Sequence, residues 1–153
     1  KFALSAIIGL LHDIAVIIAL FSIFKLEVNV PFIAAILTVF GYSINDSIVV
    51  IDRIRLNIRH KPRAEYPAVV NQSINQSLVR CLNTSFTTLL VLVALMIGFT
   101  YYIGNIDLIG FVIAMIIGVV VGSYSSLFIV SPLWLDLKQL EFRKPRAGRE
   151  TTR

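Results

Sequence analysis

The most informative stretch of the chain reads Gly41-Tyr42-Ser43-Ile44-Asn45-Asp46-Ser47-Ile48-Val49-Val50-Ile51-Asp52-Arg53-Ile54-Arg55. It closes an apolar run that begins at Phe32, yet Asn45 and Asp46 interrupt this run before the chain turns basic. A charged side chain at the centre of a bilayer costs about 2.5–3.5 kcal/mol on insertion scales, and each large apolar residue offsets about 0.3–0.6 kcal/mol of that cost. The helix can therefore insert with Asp46 in it, and an ionisable group inside a membrane is a candidate functional residue.

The composition places the chain among membrane proteins. Of its 153 residues, 57% are hydrophobic and 15% are charged, and the mean hydropathy is +0.83. Soluble domains are about 45–50% apolar and about 25% charged. Because the excess falls in blocks of about 20 residues, the length that spans a bilayer, we predict an all-α polytopic membrane protein and not a soluble helical domain.

Four apolar stretches are long enough to cross a membrane, and Pro132 is expected to end or kink the last of them. We predict spans at about 2–24, 32–51, 78–99 and 108–130, which together with their connections form a transmembrane region over 1–135. A basic loop over 52–67 joins the second span to a polar helical lead-in before the third, and a basic tail covers 136–153. We see no signature of a cleavable signal peptide at the first span, and we expect the chain to be a fragment or the later part of a longer protein.

The positive charges predict the orientation of the spans. The loop 52–67 and the tail 136–153 are rich in Lys and Arg, whereas the connections 25–30 and 100–107 hold one basic residue between them. Lys and Arg accumulate on the cytoplasmic side of membrane proteins, so we expect both termini of this segment to be cytoplasmic. Since the net charge of +5 resides at span ends, it indicates contact with membrane lipids and not with nucleic acid.

The third span carries a polar stripe. At about 100° per residue, its polar side chains fall within an arc of about 140°. Unpaired polar groups in hydrocarbon cost several kcal/mol, so the stripe is expected to face other helices or a wet cavity. Arg80 has an alternative, because a long basic side chain can extend to the headgroups. The stripe consists of Ser73, Gln76, Ser77, Arg80, Asn83, Thr84, Thr87 and Thr88.

Asp46 and Arg80 lie at similar depths. At about 1.5 Å per residue, Asp46 is some 20 Å and Arg80 about 28 Å from the external ends of their spans. Burial favours the neutral form of a carboxyl group, whereas a nearby guanidinium favours its charged form. Asp46 is therefore suited to take up and release a proton. The alternative is a static ion pair that fixes helix packing, and the sequence leaves a direct contact open.

His12 and Asp13 sit near the middle of the first span. They suit a second relay point, or each satisfies a different neighbouring helix by hydrogen bonding. Because adjacent helical residues project about 100° apart, we predict that the two do not form one site by themselves.

The fourth span repeats a small residue every four positions, a pattern that lets helix backbones approach closely. We expect it to serve packing, and we expect the polar residues nearby to line the same interior as Asp46. The ridge comprises Gly110, Ala114, Gly118, Gly122 and Ser126, and the candidate polar lining comprises Asn45, Asn83, Thr84, Thr87, Thr88, Ser123 and Ser125.

Several chemistries lack a sequence basis. The single cysteine, Cys81, excludes an internal disulfide and most cysteine metal sites. No phosphate-binding loop, dinucleotide fingerprint or HExxH motif occurs. We therefore expect no enzyme, no metal and no cofactor, with an ion gradient as the energy source.

The stretch Gly41–Arg55 resembles the signature of the SecF family, an accessory subunit of the bacterial Sec protein-export machinery. The His12-Asp13 pair, the segment from Arg80 to Ser85, and the run Gly122–Ser126 followed by Ser131-Pro132 are also similar to SecF, in the same order. These motifs cover all four spans.

The resemblance implies the following expectations. SecF belongs with SecD to the resistance-nodulation-division (RND) superfamily, so the chain would be the last four of six spans in an RND-type helix bundle of the cytoplasmic membrane. Its partners would be SecD, separate or fused, the SecYEG channel, YajC and preproteins. Protons would be the coupling ion, and the family's essential Asp and Arg fall on Asp46 and Arg80. A further family Asp belongs to SecD and lies outside this chain.

Two other functions stay open beside proton-coupled protein export. One is an RND-type transporter of lipids or small molecules, against which the Asn45-Asp46 motif argues. The other is a non-transporting assembly subunit, in which Asp46 and Arg80 only pack. Charge-neutral substitutions that leave activity intact would favour the assembly subunit.

Overall fold

The described part of the chain is built from helices. A computed structural model describes residues 2–59, 61–62 and 65–143. Part of the predicted basic loop, residues 60 and 63–64, and most of the predicted tail, residues 144–153, lie outside them. The α-helices are α1 (Phe2–Ile23), α2 (Val30–Ile58), α3 (Tyr66–Gly98), α4 (Ile106–Ser125) and α5 (Ser131–Arg143), with π-helical segments at Phe99–Ile103 and Ser126–Val130.

Four stretches of helix within the described residues are long and apolar enough to cross a membrane. The fourth is composite, because α4 continues through the second π segment into α5. The predicted fold class, an all-α membrane protein with four spans, is confirmed. The stretches are Ala3–Ile23, Val30–Ile58, Tyr66–Ile103 and Ile106–Lys138.

Two helices extend beyond the predicted spans. Helix α2 continues to Ile58, so the first seven residues of the predicted loop 52–67 are helical. The predicted boundary lies where charge begins, but the apolar spacing of four continues through Val50, Ile54 and Ile58, which pack in one cluster. The charged residues between them are exposed. Helix α3 likewise starts at Tyr66 and joins the polar lead-in to the third span without a break.

Side-chain caps fix the turns at the end opposite the basic loop. The carboxamide of Asn29 accepts a hydrogen bond of 3.1 Å from the Phe32 N–H at the start of α2, and Asn105 accepts one of 2.9 Å from the Asp107 N–H at the start of α4. Such caps satisfy N–H groups that have no partner within the helix. Between them, Gly104 adopts the left-handed conformation (φ 64°) and its N–H bonds to the Phe99 carbonyl.

The fourth span changes its helical form just before Pro132. The π segment Ser126–Val130 follows α4 directly, and α5 begins at Ser131. Because proline lacks the N–H that would bond the carbonyl four residues earlier, the regular ladder is interrupted there. The backbone accommodates Pro132 through this π segment and remains helical beyond it.

A polar layer separates two apolar clusters in the bundle. Helices α2 and α4 pack against each other and both contact α1 and α3, which flank this central pair. The larger cluster, around Val39 and Val119, lies toward the end with the Asn caps, and the smaller one, around Ile54 and Trp134, lies toward the basic end. The layer between them contains the buried polar residues Asp13, Ser43, Asp46, Ser47, Ser85, Ser123, Ser125 and Ser126.

Candidate functional site

Asp46 is the buried carboxyl on the central helix α2. Its exposed fraction is 4%, and its Oδ2 atom has no hydrogen-bond partner among the described residues. Asn45, the preceding residue, is exposed and points away from this interior. A buried polar atom without a partner costs about 1–3 kcal/mol, so its presence needs an explanation beyond packing.

Arg80 lies near Asp46 without pairing to it. The guanidinium interacts electrostatically with the Asp46 carboxyl across the α2–α3 boundary, but no ion pair joins the two among the described residues. The Arg80 side chain is exposed and lines a cleft of about 310 Å³ at the basic end of the bundle, together with Asp52 and Arg53. The question that the sequence left open is therefore answered for this chain: the two groups are neighbours without direct contact.

The polar stripe of α3 divides into two parts. At the basic end it contacts α2, where Asn57 Nδ2 donates to Ser73 Oγ at 2.8 Å and Arg53 Nε donates to Gln76 Oε1 at 2.8 Å. Nearer the other end the stripe turns outward and is exposed at Arg80, Asn83, Thr84 and Thr87, with Thr88 partly buried.

The threonines of this outward part bond to their own helix. Thr84, Thr87 and Thr88 donate to α3 carbonyls three or four residues earlier, at 2.8–3.1 Å. Asn83, Thr84 and Thr87 therefore do not line the interior around Asp46, as the helical arc suggested, because that arc faces away from α2 and α4. The outward polar face, defined as Arg80, Asn83, Thr84 and Thr87, is exposed in the described bundle, and Arg80 at its edge also lines the cleft against α2.

Serine hydroxyls connect the three helices around Asp46. Ser85 on α3 lies 2.5 Å from Ser123 on α4 and 3.2 Å from the Tyr42 hydroxyl on α2. Ser47 lies 3.1 Å from Ser126 in the π segment. Ser123 thus lies in the interior expected for it, and so does Ser125, which is 1% exposed.

Sequence reasoning missed Ser43 and Ser47 as site residues. Both are 2% exposed, and they bracket Asp46 on the buried face of α2. The signal was present, because positions 43 and 47 are one helical turn apart and fall beside Asp46 on that face.

His12 and Asp13 contact each other although adjacent helical residues project about 100° apart, and Ser43 of α2 joins them, so the two do not form a site by themselves. Asp13 is fully buried, and its Oδ1 lies 3.3 Å from His12 Nδ1. Its Oδ2 accepts a hydrogen bond of 2.6 Å from Ser43 Oγ. The projection of about 100° per residue describes Cα–Cβ directions, but the imidazole is long enough to swing back over the adjacent carboxyl.

The small-residue ridge of α4 is tightly packed only over part of its length. A Cβ at Gly118 would overlap the Val39 side chain on α2, and one at Gly122 would lie 3.4 Å from Ser43 Cβ. Ala114 and Ser126 are fully buried. At Gly110, by contrast, a Cβ would meet no atom within 4 Å. The close approach of α4 to α2 is therefore found at Gly118 and Gly122.

Known proteins match this chain along nearly all of it. The family model described as "Protein export membrane protein SecD/SecF, C-terminal" matches residues 1–140. The "Protein translocase subunit SecF" of Alicyclobacillus acidocaldarius is 44% identical over 151 residues, covering 97% of this chain and 47% of that protein. The "Protein translocase subunit SecDF" of Thermus thermophilus is 47% identical over 135 residues, covering 86% of this chain and 17% of that protein.

A further SecDF, from Bacillus subtilis, is 43% identical over 150 residues, covering 96% of this chain and 20% of that protein. The chain thus spans about half of the SecF relative and about a fifth of the SecDF relatives. The four membrane-spanning stretches and the family match over residues 1–140 agree with the resemblance seen in the sequence motifs. This multi-pass membrane chain belongs to the SecD/SecF family of protein export membrane proteins, of which it represents the C-terminal region.

Proposed function

We propose that the chain is the SecF membrane region of a Sec translocase accessory subunit, which uses the proton-motive force to assist protein export across the bacterial cytoplasmic membrane. Protons are the coupling ion in this proposal, and the subunit hydrolyses no ATP. The observation that carries the proposal is the buried Asp46 carboxyl, whose Oδ2 atom has no partner and which has Arg80 close by but not in contact.

This arrangement favours proton exchange over static packing. A carboxyl that only fixed two helices together would be satisfied by an ion pair or by hydroxyl donors, since leaving one member of a buried pair unsatisfied is strongly unfavourable. Here Ser47 bonds to Ser126 and Ser85 bonds to Ser123, and none of these hydroxyls bonds to Oδ2 of Asp46. A group with a free oxygen and a nearby, permanently charged Arg80 can exchange a proton without first breaking a strong pair.

The cleft lined by Arg80 supports a route to the cytoplasm. It opens between α2 and α3 at the basic end, and its lining includes Asp52, Arg53 and Gln76. By the positive-inside rule we expect this end, and both termini of the segment, to be in the cytoplasm. Protons leaving Asp46 would then reach the cytoplasmic water through the cleft beside Arg80.

The outward polar face supports SecD as the partner. Polar side chains facing hydrocarbon are costly, so a protein surface or water must cover Arg80, Asn83, Thr84 and Thr87. Two of the relatives are SecDF proteins by name, in which both parts share one chain. We infer that the membrane region of SecD covers this face, and that SecYEG, YajC and preproteins are met by the whole assembly.

The test uses the full-length protein with its SecD partner in inverted membrane vesicles. Preprotein export is followed with and without a proton gradient for Asp46→Asn and Arg80→Met. We expect both variants to assemble and to lose only the gradient-dependent part of export. Matched controls are Glu27→Gln, an exposed carboxylate in the connection after α1, and Arg55→Met, an exposed cation on α2, and both should respond to the gradient as the wild type does.

A full gradient response in assembled Asp46→Asn and Arg80→Met would rule out the proton-coupling role and favour a non-transporting assembly subunit. If the chain belongs instead to an RND-type transporter of lipids or small molecules, deletion of this subunit will leave preprotein export unchanged.

A further inference from the structure

A second carboxyl group is buried in the membrane region, and the proposal above does not use it. Asp13 on α1 has no exposed surface, and both its oxygens have partners: Ser43 Oγ donates to Oδ2 at 2.6 Å, and His12 Nδ1 lies 3.3 Å from Oδ1. The bond between Asp13 and Ser43 is also a polar link between α1 and the central helix α2. It therefore joins two ionisable groups of α1 to the helix that carries Asp46.

His12 connects this buried carboxyl to the surface of the bundle. Its side chain is 39% exposed, whereas the Asp13 side chain is 0% exposed. His12 is the eleventh of the 22 residues of α1, so the exposed part of its imidazole lies near mid-membrane. A lipid-facing imidazole at this depth is unfavourable, so the exposed side chain indicates contact with water or with a polar group from outside the described bundle.

Ser43 brings Asp13 within reach of Asp46. Ser43 and Asp46 are three positions apart on α2, and both are buried. Helical neighbours at this spacing have Cβ atoms about 5–6 Å apart. One water molecule can bridge polar groups across such a gap. Helix α4 packs over this link at Gly122, where a Cβ would lie 3.4 Å from Ser43 Cβ and 3.7 Å from Asp13 Oδ2.

Asp46 is the titratable group best placed to exchange protons with Asp13. Helix α1 packs against α2, α4, the second π segment and α5. From α2, the titratable groups near this depth are Asp46 and Tyr42, and Tyr42 bonds to Ser85 on the α3 side. From α4, Tyr124 is 57% exposed and stacks on Phe128. The titratable residues of α5 with described side chains, Asp136 and Lys138, follow the π segment toward the basic end.

We propose that Asp13 is a second proton-binding site, which receives protons through His12 and passes them by way of Ser43 to Asp46. This inference rests on the proton-coupling function proposed above. Ser43 lies one turn from Asp46 toward the end with the Asn caps, so Asp13 stands on the external side of Asp46.

Each step of the transfer conserves the proton. A proton from external water binds His12, and the imidazolium releases it from Nδ1 to Asp13 Oδ1, which leaves a neutral imidazole and a neutral carboxyl. For the next step the carboxyl presents this proton on Oδ2, and the Ser43 hydroxyl, which donates to Oδ2 in this structure, turns toward a bridging water. Ser43 Oγ then accepts the proton from Oδ2 while its own proton passes through the water to Asp46. Asp13 returns to the carboxylate, and the proton resides on Asp46.

The experiment replaces Asp13 by Asn in the full-length protein with its SecD partner. Asparagine keeps the size of the side chain and can accept from Ser43 Oγ and donate to His12, but it binds no proton. We expect the variant to assemble and to lose gradient-dependent export, and the double variant with Asp46→Asn to be no worse than Asp46→Asn alone, since both residues serve one path. Glu27→Gln is the matched control.

A spectroscopic readout separates proton binding from a structural role. In pH-difference infrared spectra of the purified complex in lipid, we expect two buried carboxyl C=O bands, one lost in Asp13→Asn and the other in Asp46→Asn. Spectra in which Asp13→Asn removes no band would overturn the inference, whatever happens to export. A full gradient response in that variant would overturn it as well, and loss of the response in Asp46→Asn would still support the proposed function.

A second variant keeps the inference testable should Asp13→Asn fail to assemble. His12→Gln leaves the buried carboxyl and its Ser43 bond in place but removes the group through which protons enter. We expect it to slow the gradient-dependent part of export at least tenfold. An unchanged rate would contradict the route through His12, and a gradient response that survives in Asp46→Asn would instead remove the proposed function itself.

Discussion

Gly118 on α4 lies directly against Val39 on α2, so that a Cβ at position 118 would overlap the Val39 side chain. Both residues are in the apolar part of the bundle, and Val39 is 1% exposed. In a membrane, helices associate through close van der Waals packing of small residues and not through the hydrophobic effect. This contact therefore holds the two central helices, one of which carries Asp46, at a fixed separation.

Gly118→Ala should destabilise the protein. The new methyl group forces Val39 or the helices apart, and such overpacking costs about 1–3 kcal/mol. The free energy of unfolding in SDS-containing mixed micelles measures the effect on the full-length protein. Gly110→Ala is the matched control, because a Cβ there meets nothing within 4 Å. Combining Gly118→Ala with Val39→Ala should restore part of the loss, and equal stability of the two glycine variants would contradict the packing argument.

Cysteine cross-linking should detect SecD against the outward polar face. In a background with the buried Cys81 replaced by Ser, Thr87→Cys should cross-link to SecD when paired with cysteines in the SecD spans. Leu82→Cys is the control, since Leu82 is 52% exposed on the opposite side of α3 and should face lipid. Cross-links that form only from position 82 would place SecD on the other side of the helix.

Ser85 and Ser123 should be energetically coupled. Their hydroxyls are in contact between α3 and α4, and hydrogen bonds between membrane helices contribute about 0.6 kcal/mol on average, with about 1.7 kcal/mol as the highest value. A double-mutant cycle with Ser85→Ala and Ser123→Ala, read as the free energy of unfolding, measures the coupling. Pairing Ser85→Ala with Ser126→Ala, whose hydroxyl contacts Ser47 instead, gives the comparison and should be additive.

Asn29→Ala should weaken the start of α2. The side chain accepts from the Phe32 N–H, and its amide donates to Asp107 at the start of α4. Loss of a cap of this kind costs about 1 kcal/mol, which thermal unfolding of the full-length protein would report. Asn29→Asp keeps the cap but places a second carboxylate beside Asp107, so it should recover little. A recovery to wild-type stability would show that the link to Asp107 contributes nothing.

Much of the fold could be predicted from local sequence. The four spans follow from runs of apolar residues, and the turns at Asn29 and Gly104–Asn105 follow from residues whose conformational preferences are local. The predicted second span ends at residue 51, seven residues before the end of α2. The first charged residues do not end the helix, because Ile54 and Ile58 continue its apolar face.

The surroundings of the site were less predictable. The angular spacing of α3 correctly grouped Arg80, Asn83, Thr84 and Thr87 on one face, but it contains no information about which neighbour that face meets. The contact between His12 and Asp13 was missed for a related reason. Helical projection gives the direction of each Cα–Cβ bond, whereas the length and rotation of the imidazole determine the positions of its nitrogen atoms.

The sequence by itself determined that the chain is an all-α membrane protein with an ionisable group in its second span. A membrane span requires about 20 mostly apolar residues, so an ionisable residue within such a run is easily recognised. Only the tertiary structure decided which polar groups meet. It brings Ser43 to Asp13 across 30 residues of chain and Ser85 to Ser123 across 38, and it leaves Oδ2 of Asp46 without a partner. The physical reason is that a hydrogen bond depends on positions within tenths of an ångström, which arise from the packing of the helices on one another and not from the spacing along any one helix.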